Sequence, residues 1–437
     1  MAMVKTVDVA EVRLWNRTIA AVYWDEAARV AAFEYTSAFQ KSGIEVAPLT
    51  MPLGPQVFRF PALAQTSFRG LPGLLADSLP DDFGNAIIDQ WLVREGRDKG
   101  LFSPVERLCY IGRRGMGALE FRPAMRSTPK GSVPVEIEHL IELSQNVLDL
   151  RDGLRIRLQG GSEDYAKALD DILRVGTSAG GARAKAVVAW NPQTNEIRSG
   201  QLNAPPGFQY WILKFDGVEN RERGVRDPQG YGRIEYAYYL MARSAGIAMA
   251  ESRLLEENGR SHFMTRRFDR TDDGDRLHMQ SLYAMAHLDN QLPAAHSYEQ
   301  ALQVMQTLGM PASDLREQFR RMIFNVLARN QDDHTKNIAY LMDKAGRWRL
   351  SPAFDMIYSW NPDGAWTRAH QMSINGRVDE FTRRDLLQVA DRFRIKTGDR
   401  IIDEVASALD DWQKFAETAG IDRRTVQRVA AAHRRLD

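Results

Sequence analysis

The chain runs to 437 residues, with 58 Lys plus Arg against 57 Asp plus Glu and a formal net charge of +1. That length calls for two or three packed units, and the balanced charge excludes a global field that would recruit nucleic acid or anionic lipid. One cysteine, Cys109, and eight histidines exclude an internal disulfide and a Cys/His zinc cluster. With no apolar leader in MAMVKTVDVAEVRLW and no run near the roughly 18 apolar residues of a membrane span, a cytoplasmic protein with no membrane partner is expected.

Residues 11–35, EVRLWNRTIAAVYWDEAARVAAFEY, hold two runs rich in Val, Ile, Tyr and Trp around a polar WDEAAR break, which predicts strands joined by a turn. LPGLLADSLPDDFGNAIIDQW, from Leu71, mixes proline and glycine with a short helical pattern, and LCYIGRRGMGALEF, 108–121, reads as a loop between strands. RPAMRSTPKGSVPVE, from Arg122, clusters proline, glycine and serine without apolar periodicity and predicts a linker, with a boundary near residue 130.

Beyond it IEHLIELSQNVLDL reads as an amphipathic helix, and residues 173–216 alternate glycine-rich turns with the strand-like runs KAVVAW and YWILKFD. Helix returns at IEYAYYLMARSAGI, 234–247. In SRLLEENGRSHFMTRRFD, Asn258 and Gly259 supply the positive backbone angles of a tight hairpin turn. From about residue 280 the pattern is mainly helical, and Ser313 is the expected N-cap of a helix carrying Leu315, Phe319, Met322, Ile323, Val326 and Leu327 on one face.

That helix stops at NQDDHTKN, 330–337, followed by the strand-like runs of IAYLMDKAGRWRL and by SPAFDMIYSW, which contains Asp355. Phosphoryl transfer to a hydroxyl asks for this layout: a carboxylate to orient the nucleophile and take its proton, then oxygen ligands from nearby loops for a divalent cation on the phosphates. Asp332 and Asn337 have the D-x-x-x-x-N spacing of a kinase catalytic aspartate and metal-binding asparagine, and Asp355 stands downstream as the second metal-binding aspartate. Asp333 is off that spacing and takes a supporting role.

Upstream, GTSAGGARAK, 176–185, is a small-residue loop whose backbone N–H groups suit phosphates, and without a GK[ST] ending it is not a P-loop. Lys214 sits in a mostly apolar strand, where a lysine must snorkel or find an anion such as a nucleotide phosphate. Glu235, on the next helix, is its expected ion-pair partner. FMTRRFDR, 263–270, falls by order where a kinase hinge offers backbone hydrogen bonds to adenine. Taken singly, each feature also suits a capped helix end, a surface turn or a solvated strand end; the ordered set points to a kinase.

GTSAGGARAK, ILKFD, IEYAYYLMARSAGI, MTRRFDR, NQDDHTKN and SPAFDMI, in that order, resemble the HipA family of serine/threonine kinases, toxins of bacterial type II toxin-antitoxin systems. LPGLLADSLPDDFG and GALEFRP look like that family's first subdomain, so the likeness covers nearly the whole chain. The resemblance implies an α+β protein with an atypical bilobed protein-kinase-like fold: an extra N-terminal β-rich subdomain at 1–130, an ATP-binding lobe at 131–270 and an all-helical C-terminal lobe at 271–437.

It implies ATP and Mg2+ as cofactors, Asp332 as the catalytic aspartate, Asn337 and Asp355 as magnesium ligands, and Lys214 as the phosphate lysine. Ala179, Gly180, Gly181, Ala182, Lys185, Thr265, Arg266 and His334 complete the implied nucleotide contacts, with Glu235 as the helix glutamate. Ser178 corresponds to the serine that family members autophosphorylate; a phosphate there adds nearly two negative charges beside the nucleotide, so the loop should be expelled and activity lost. The resemblance further implies a protein substrate, glutamyl-tRNA synthetase being the family's known target, and a HipB-like helix-turn-helix antitoxin through which the chain meets operator DNA indirectly. The arginine-rich stretches DRRTVQRVAAAHRRLD and FTRRDLLQVADRFRIK read as solvated helix faces. Two other readings stand beside the toxin kinase: an inactive co-repressor that only binds the antitoxin, and a kinase of a non-protein substrate.

Overall fold

The computed structural model describes residues 7–80, 82–94, 97–123, 137, 140, 141, 144, 184–201, 203–218, 229–271 and 274–436. The chain divides into two compact units: Met1–Val46, Met51–Gly232 and Arg253–His278 form the first, and Ala47–Thr50, Arg233–Ser252 and Met279–Asp437 the second.

In the first unit, β1 (Val9–Leu14), β2 (Arg17–Asp25), β3 (Val30–Tyr35) and β4 (Leu119–Arg122) form an antiparallel sheet in the order β3-β2-β1-β4. Residues 11–35 therefore fall on three strands rather than two. The extra turn is made by Trp15 and Asn16, whose φ values of 47° and 65° give the doubly positive geometry of a tight hairpin. LCYI, expected in a loop, ends a helix instead, α2 (Pro104–Ile111), which follows α1 (Asp82–Arg94). A capping box between Ser103 and Glu106, with proline at the first helical position, starts α2 where the apolar spacing alone was ambiguous.

The second sheet of this unit has the order β6-β5-β7-β9-β8, from β5 (Lys185–Trp190), β6 (Ile197–Ser199), β7 (Gln209–Lys214), β8 (Ser252–Glu257) and β9 (Arg260–Arg266). The β8–β9 turn is the expected one, with Asn258 and Gly259 at φ 46° and 76°. Successive side chains in a strand point to opposite faces. One face, carrying Ala186, Val188, Trp190, Trp211, Leu213 and Met264, is buried against Ile87, Ile88, Trp91 and Leu92 of α1. The register puts Lys185, Lys214 and Phe263 in one row on the other face, with Val187, Ile212 and Thr265 in the next row. The expected linker at 122–136 lies almost entirely, and the helix IEHLIELSQNVLDL largely, outside the described residues.

The second unit is helical in bulk but not throughout. Its helices include α3 (Tyr231–Ser244, begun in the first unit), α4 (Tyr298–Thr307) and α5 (Ala312–Leu327). The six apolar positions predicted for α5 are all buried. Its N-cap is Pro311, with no side-chain cap bond; Ser313 sits inside the first turn and its hydroxyl goes to Asp314. An all-helical lobe is corrected by three strands, β10 (His278–Ser281), β12 (Ala339–Met342) and β13 (Trp348–Leu350), which form a sheet in the order β10-β12-β13. A parallel two-residue bridge, β11 (His296–Ser297) with β14 (Met372–Ser373), brings residues 370–371 beside the start of α4. Among the described residues no helix is long and apolar enough to cross a membrane.

The polar run RRFDR of the first unit has a structural use. Buried Asp269 accepts two bonds from Arg267 at 2.9 and 2.7 Å, one from Arg270 at 2.7 Å and one from the Gly117 N–H at 2.7 Å. Burial works to raise the Asp269 pKa, and the two guanidiniums with the Gly117 N–H outweigh it, holding the carboxyl well below the usual carboxylate range. Because the folded pKa is depressed, this contribution is full above about pH 4 and is lost as pH falls below that value. Asp269→Ala leaves two buried guanidiniums without their anion and should cost about 3 kcal/mol or more in equilibrium urea unfolding at pH 7. Acidification from pH 5 to pH 3 should then narrow the gap between the variant and the wild type.

Candidate active site

The core of the candidate site is the loop after α5 in the second unit. Arg329 adopts φ 58°, a left-handed residue that turns the chain off the helix. Ser359 then fastens the loop: its hydroxyl accepts from the N–H of Gln331 at 2.7 Å and of Asp332 at 3.0 Å and donates to Asn330 Oδ1 at 3.2 Å. A short 3-10 turn, Thr335–Asn337, closes the loop, and the Asn337 amide nitrogen donates to the Asp332 carbonyl at 2.8 Å. The D-x-x-x-x-N spacing is thus a closed ring, and the bond leaves the Asn337 oxygen as the amide atom available to a cation.

Asp332 and Asp333 meet opposite fates. The Asp332 side chain is 44 % exposed; its Oδ1 accepts from the Trp366 indole at 2.7 Å and lies 3.9 Å from His334 Nε2. Asp333 is buried, and its carboxylate accepts from Tyr298 OH at 2.6 Å and the Gln371 N–H at 2.8 Å, with His370 Nδ1 at 2.8 Å. Burial alone would raise the Asp333 pKa; His370, Tyr298 and the Gln371 N–H hold it below the ordinary carboxylate value. An ionised carboxylate only accepts, so the proton of the His370 contact sits on Nδ1. Burial first, and the Asp333 charge second, raise the Tyr298 pKa well above its ordinary value, so the phenol remains a donor.

Asn337, Asp355, His334 and Asp333 line one small cavity of about 20 Å³, together with Asn325, Asn330 and Gln318. Asp355 has φ 53°, a left-handed conformation that a short polar side chain tolerates better than most. An amide oxygen and a carboxylate are the hard oxygen donors that suit magnesium, so the residues present fit such an ion. Among the described residues no three His, Cys, Asp or Glu side chains gather to cage a metal unaided.

In the first unit, Lys185 and Lys214 are direct partners across β5 and β7, and the Lys214 ammonium lies 5.7 Å from the Phe263 ring centroid on the next strand. Thr265 shares this face; Arg266, opposite Trp211, is on the face turned to α1. The sheet therefore separates two residues that the order of motifs had grouped. Ser178, Ala179, Gly180, Gly181 and Ala182 lie outside the described residues. Asp216, next to YWILK, is buried and accepts from the N–H of Gly230 at 2.9 Å and of Gly232 at 3.5 Å, which ties the start of α3 to this sheet. A Cβ at Gly232 would meet the Ser261 carbonyl oxygen at 2.1 Å, so only glycine fits there. Glu235, on α3, belongs to the second unit and is buried.

Tyr298, Ser359, Trp366, His370 and Gln371 were not found from the sequence. Their partners lie 27 to 38 positions away, and no local spacing signals such pairs. Tyr298→Phe removes one donor from a buried charge and should lower stability by about 2 kcal/mol in urea unfolding; an unchanged midpoint would show that Asp333 does not depend on it.

The HipA-like C-terminal domain family matches residues 177–430, and the HipA N-terminal domain family matches residues 10–122. No curated protein matches the sequence. Among solved structures, the fold is similar to a chain of the Shewanella oneidensis MR-1 HipA, HipB and operator DNA complex, with a TM-score of 0.66 at 17 % identity over 97 % of this chain and 94 % of that one. The Helicobacter pylori proinflammatory kinase CtkA gives a TM-score of 0.32 at 13 % identity over 51 % of this chain and 90 % of that one. The expected α+β class is borne out by the first of these likenesses. With matches to both its N-terminal and its C-terminal domain, this chain belongs to the HipA family.

Proposed function

We propose that the chain is a Mg2+- and ATP-dependent serine/threonine protein kinase, the toxin of a toxin-antitoxin pair. The observation that carries the reading is the Asp332 loop: it exposes the Asp332 carboxylate and is closed by the Asn337 amide on the Asp332 backbone carbonyl, and Asn337 lines the same cavity as Asp355. In this reading Asp332 orients a serine or threonine hydroxyl and takes its proton. Asn337 and Asp355 are the residues that would hold magnesium. When bound, magnesium would supply positive charge to offset that of the ATP phosphates. His334, on the rim of the same cavity, would face the transferred phosphate.

The row of Lys185 and Lys214 supports the nucleotide assignment, because it sets two cationic side chains side by side on one face of the sheet. Thr265 lies on that face; any part for Arg266 would use its backbone. The loop residues Ala179, Gly180, Gly181 and Ala182 would add backbone donors to the phosphates, and Glu235 would serve as the helix glutamate. Ser178 is the proposed autophosphorylation site. The HipB and operator DNA named with the Shewanella protein support a helix-turn-helix antitoxin as this chain's partner, with DNA reached through it. A translation component such as glutamyl-tRNA synthetase is the proposed target.

With labelled ATP, magnesium and cell lysate, the wild type should label a discrete protein, and Asp332→Ala should reduce that label by at least about 10²-fold. A wild type that binds ATP yet labels nothing, itself included, contradicts the reading. Intact mass should rise by one phosphate after ATP treatment and stay unchanged in Ser178→Ala; a phosphate mapped elsewhere removes the autophosphorylation proposal.

A further inference from the structure

Three successive residues of the Asp332 loop are gripped by one other segment, 366–371. The Trp366 indole donates to Asp332 Oδ1 at 2.7 Å, His370 and the Gln371 N–H hold Asp333 at 2.8 Å each, and the Gln371 amide donates to the Gln331 carbonyl at 3.5 Å. The Gln371 amide also donates to the Trp366 carbonyl, so the segment braces itself. Asp333 and Gln331 are buried, and their bonds are what a buried loop requires. The Trp366 bond is different in kind, because it lands on a carboxylate that is 44 % exposed and that water would satisfy unaided.

We propose that Trp366 is a positioning residue for phosphoryl transfer: its indole N–H fixes Asp332 by Oδ1 and presents Oδ2 to the acceptor hydroxyl. The inference rests on the kinase reading given above. The chemistry of the donor favours this role. An indole nitrogen donates and never accepts, so it cannot compete for the hydroxyl proton; it brings no charge, so it does not neutralise the carboxylate as a lysine would. A length of 2.7 Å is at the short end for a charge-assisted bond. Among the described residues both contacts to the carboxylate, Trp366 and the more distant His334, fall on Oδ1. An exposed aspartate without such a tether samples several rotamers, and small misplacements of a reacting group cost rate steeply.

Trp366→Phe keeps an aromatic ring and deletes the N–H. Measured with a phosphorylatable acceptor from the lysate or by autophosphorylation, kcat should fall about tenfold while KM for ATP and the thermal midpoint stay unchanged. Asp332→Asn supplies the readout that a packing role would not move: in that background Trp366→Phe should cause no further loss, since the indole acts through the carboxylate. An unchanged or raised kcat in Trp366→Phe, or an equal fall in both backgrounds, overturns the proposal while leaving the kinase reading intact. A wild type with no transfer, or one matched by Asp332→Asn, overturns the kinase reading and this inference with it.

Discussion

A buried carboxylate that must stay charged organises the second unit. Asp333 is almost wholly buried, so its charge is tolerable because Tyr298, His370 and the Gln371 N–H each aim a hydrogen at it. Those donors come from the start of α4 and from the segment beside β14, which the β11–β14 bridge brings together. Satisfying Asp333 therefore fixes three parts of the chain at once, and its neighbour Asp332 is carried into position on the surface. One aspartate is spent on structure, and the next stands exposed beside it.

The first unit applies a similar economy to a sheet. One face of β5, β7 and β9 is given to packing against α1, and the other carries two lysines in register. Core burial sets the register, because a one-residue slip would turn the lysines into the core and the tryptophans out of it. Asp269 does for the 115–117 loop what Asp333 does for the 330–337 loop, with arginines in place of tyrosine and histidine. In both units a charge that ordinary solvation would keep outside is used to lock a turn.

Sequence periodicity made α5, the Asn258–Gly259 turn and the loop carrying Asp332 and Asn337 legible, because each is written in neighbouring residues. Local signals also misled. Ser313 looked like a cap, but Pro311 holds that position through its restricted backbone. In RRFDR, placed at a kinase hinge by motif order alone, Arg267, Asp269 and Arg270 form a buried ion cluster that no local pattern announced. Asn16 alone was too weak a turn signal beside Trp15, so a strand boundary was missed. What stayed hidden altogether was pairing across distance: Trp366 with Asp332 and His370 with Asp333 depend on a fold-level juxtaposition that no spacing rule encodes. The strand-like runs of IAYLMDKAGRWRL are β12 and β13, whereas β10 and the β11–β14 bridge escaped, since runs of two to four residues carry little periodicity.

The central claim is that Asn337 and Asp355 share a cation over which a triphosphate is aimed at Asp332. Anomalous diffraction from a crystal grown with Mn2+ and a non-hydrolysable ATP analogue tests it most directly. The account predicts a peak roughly 2.1 Å from the Asp355 carboxylate and the Asn337 oxygen, with the terminal phosphate facing Asp332. A cation bound away from these two residues, or phosphates beyond the reach of Asp332, would contradict it.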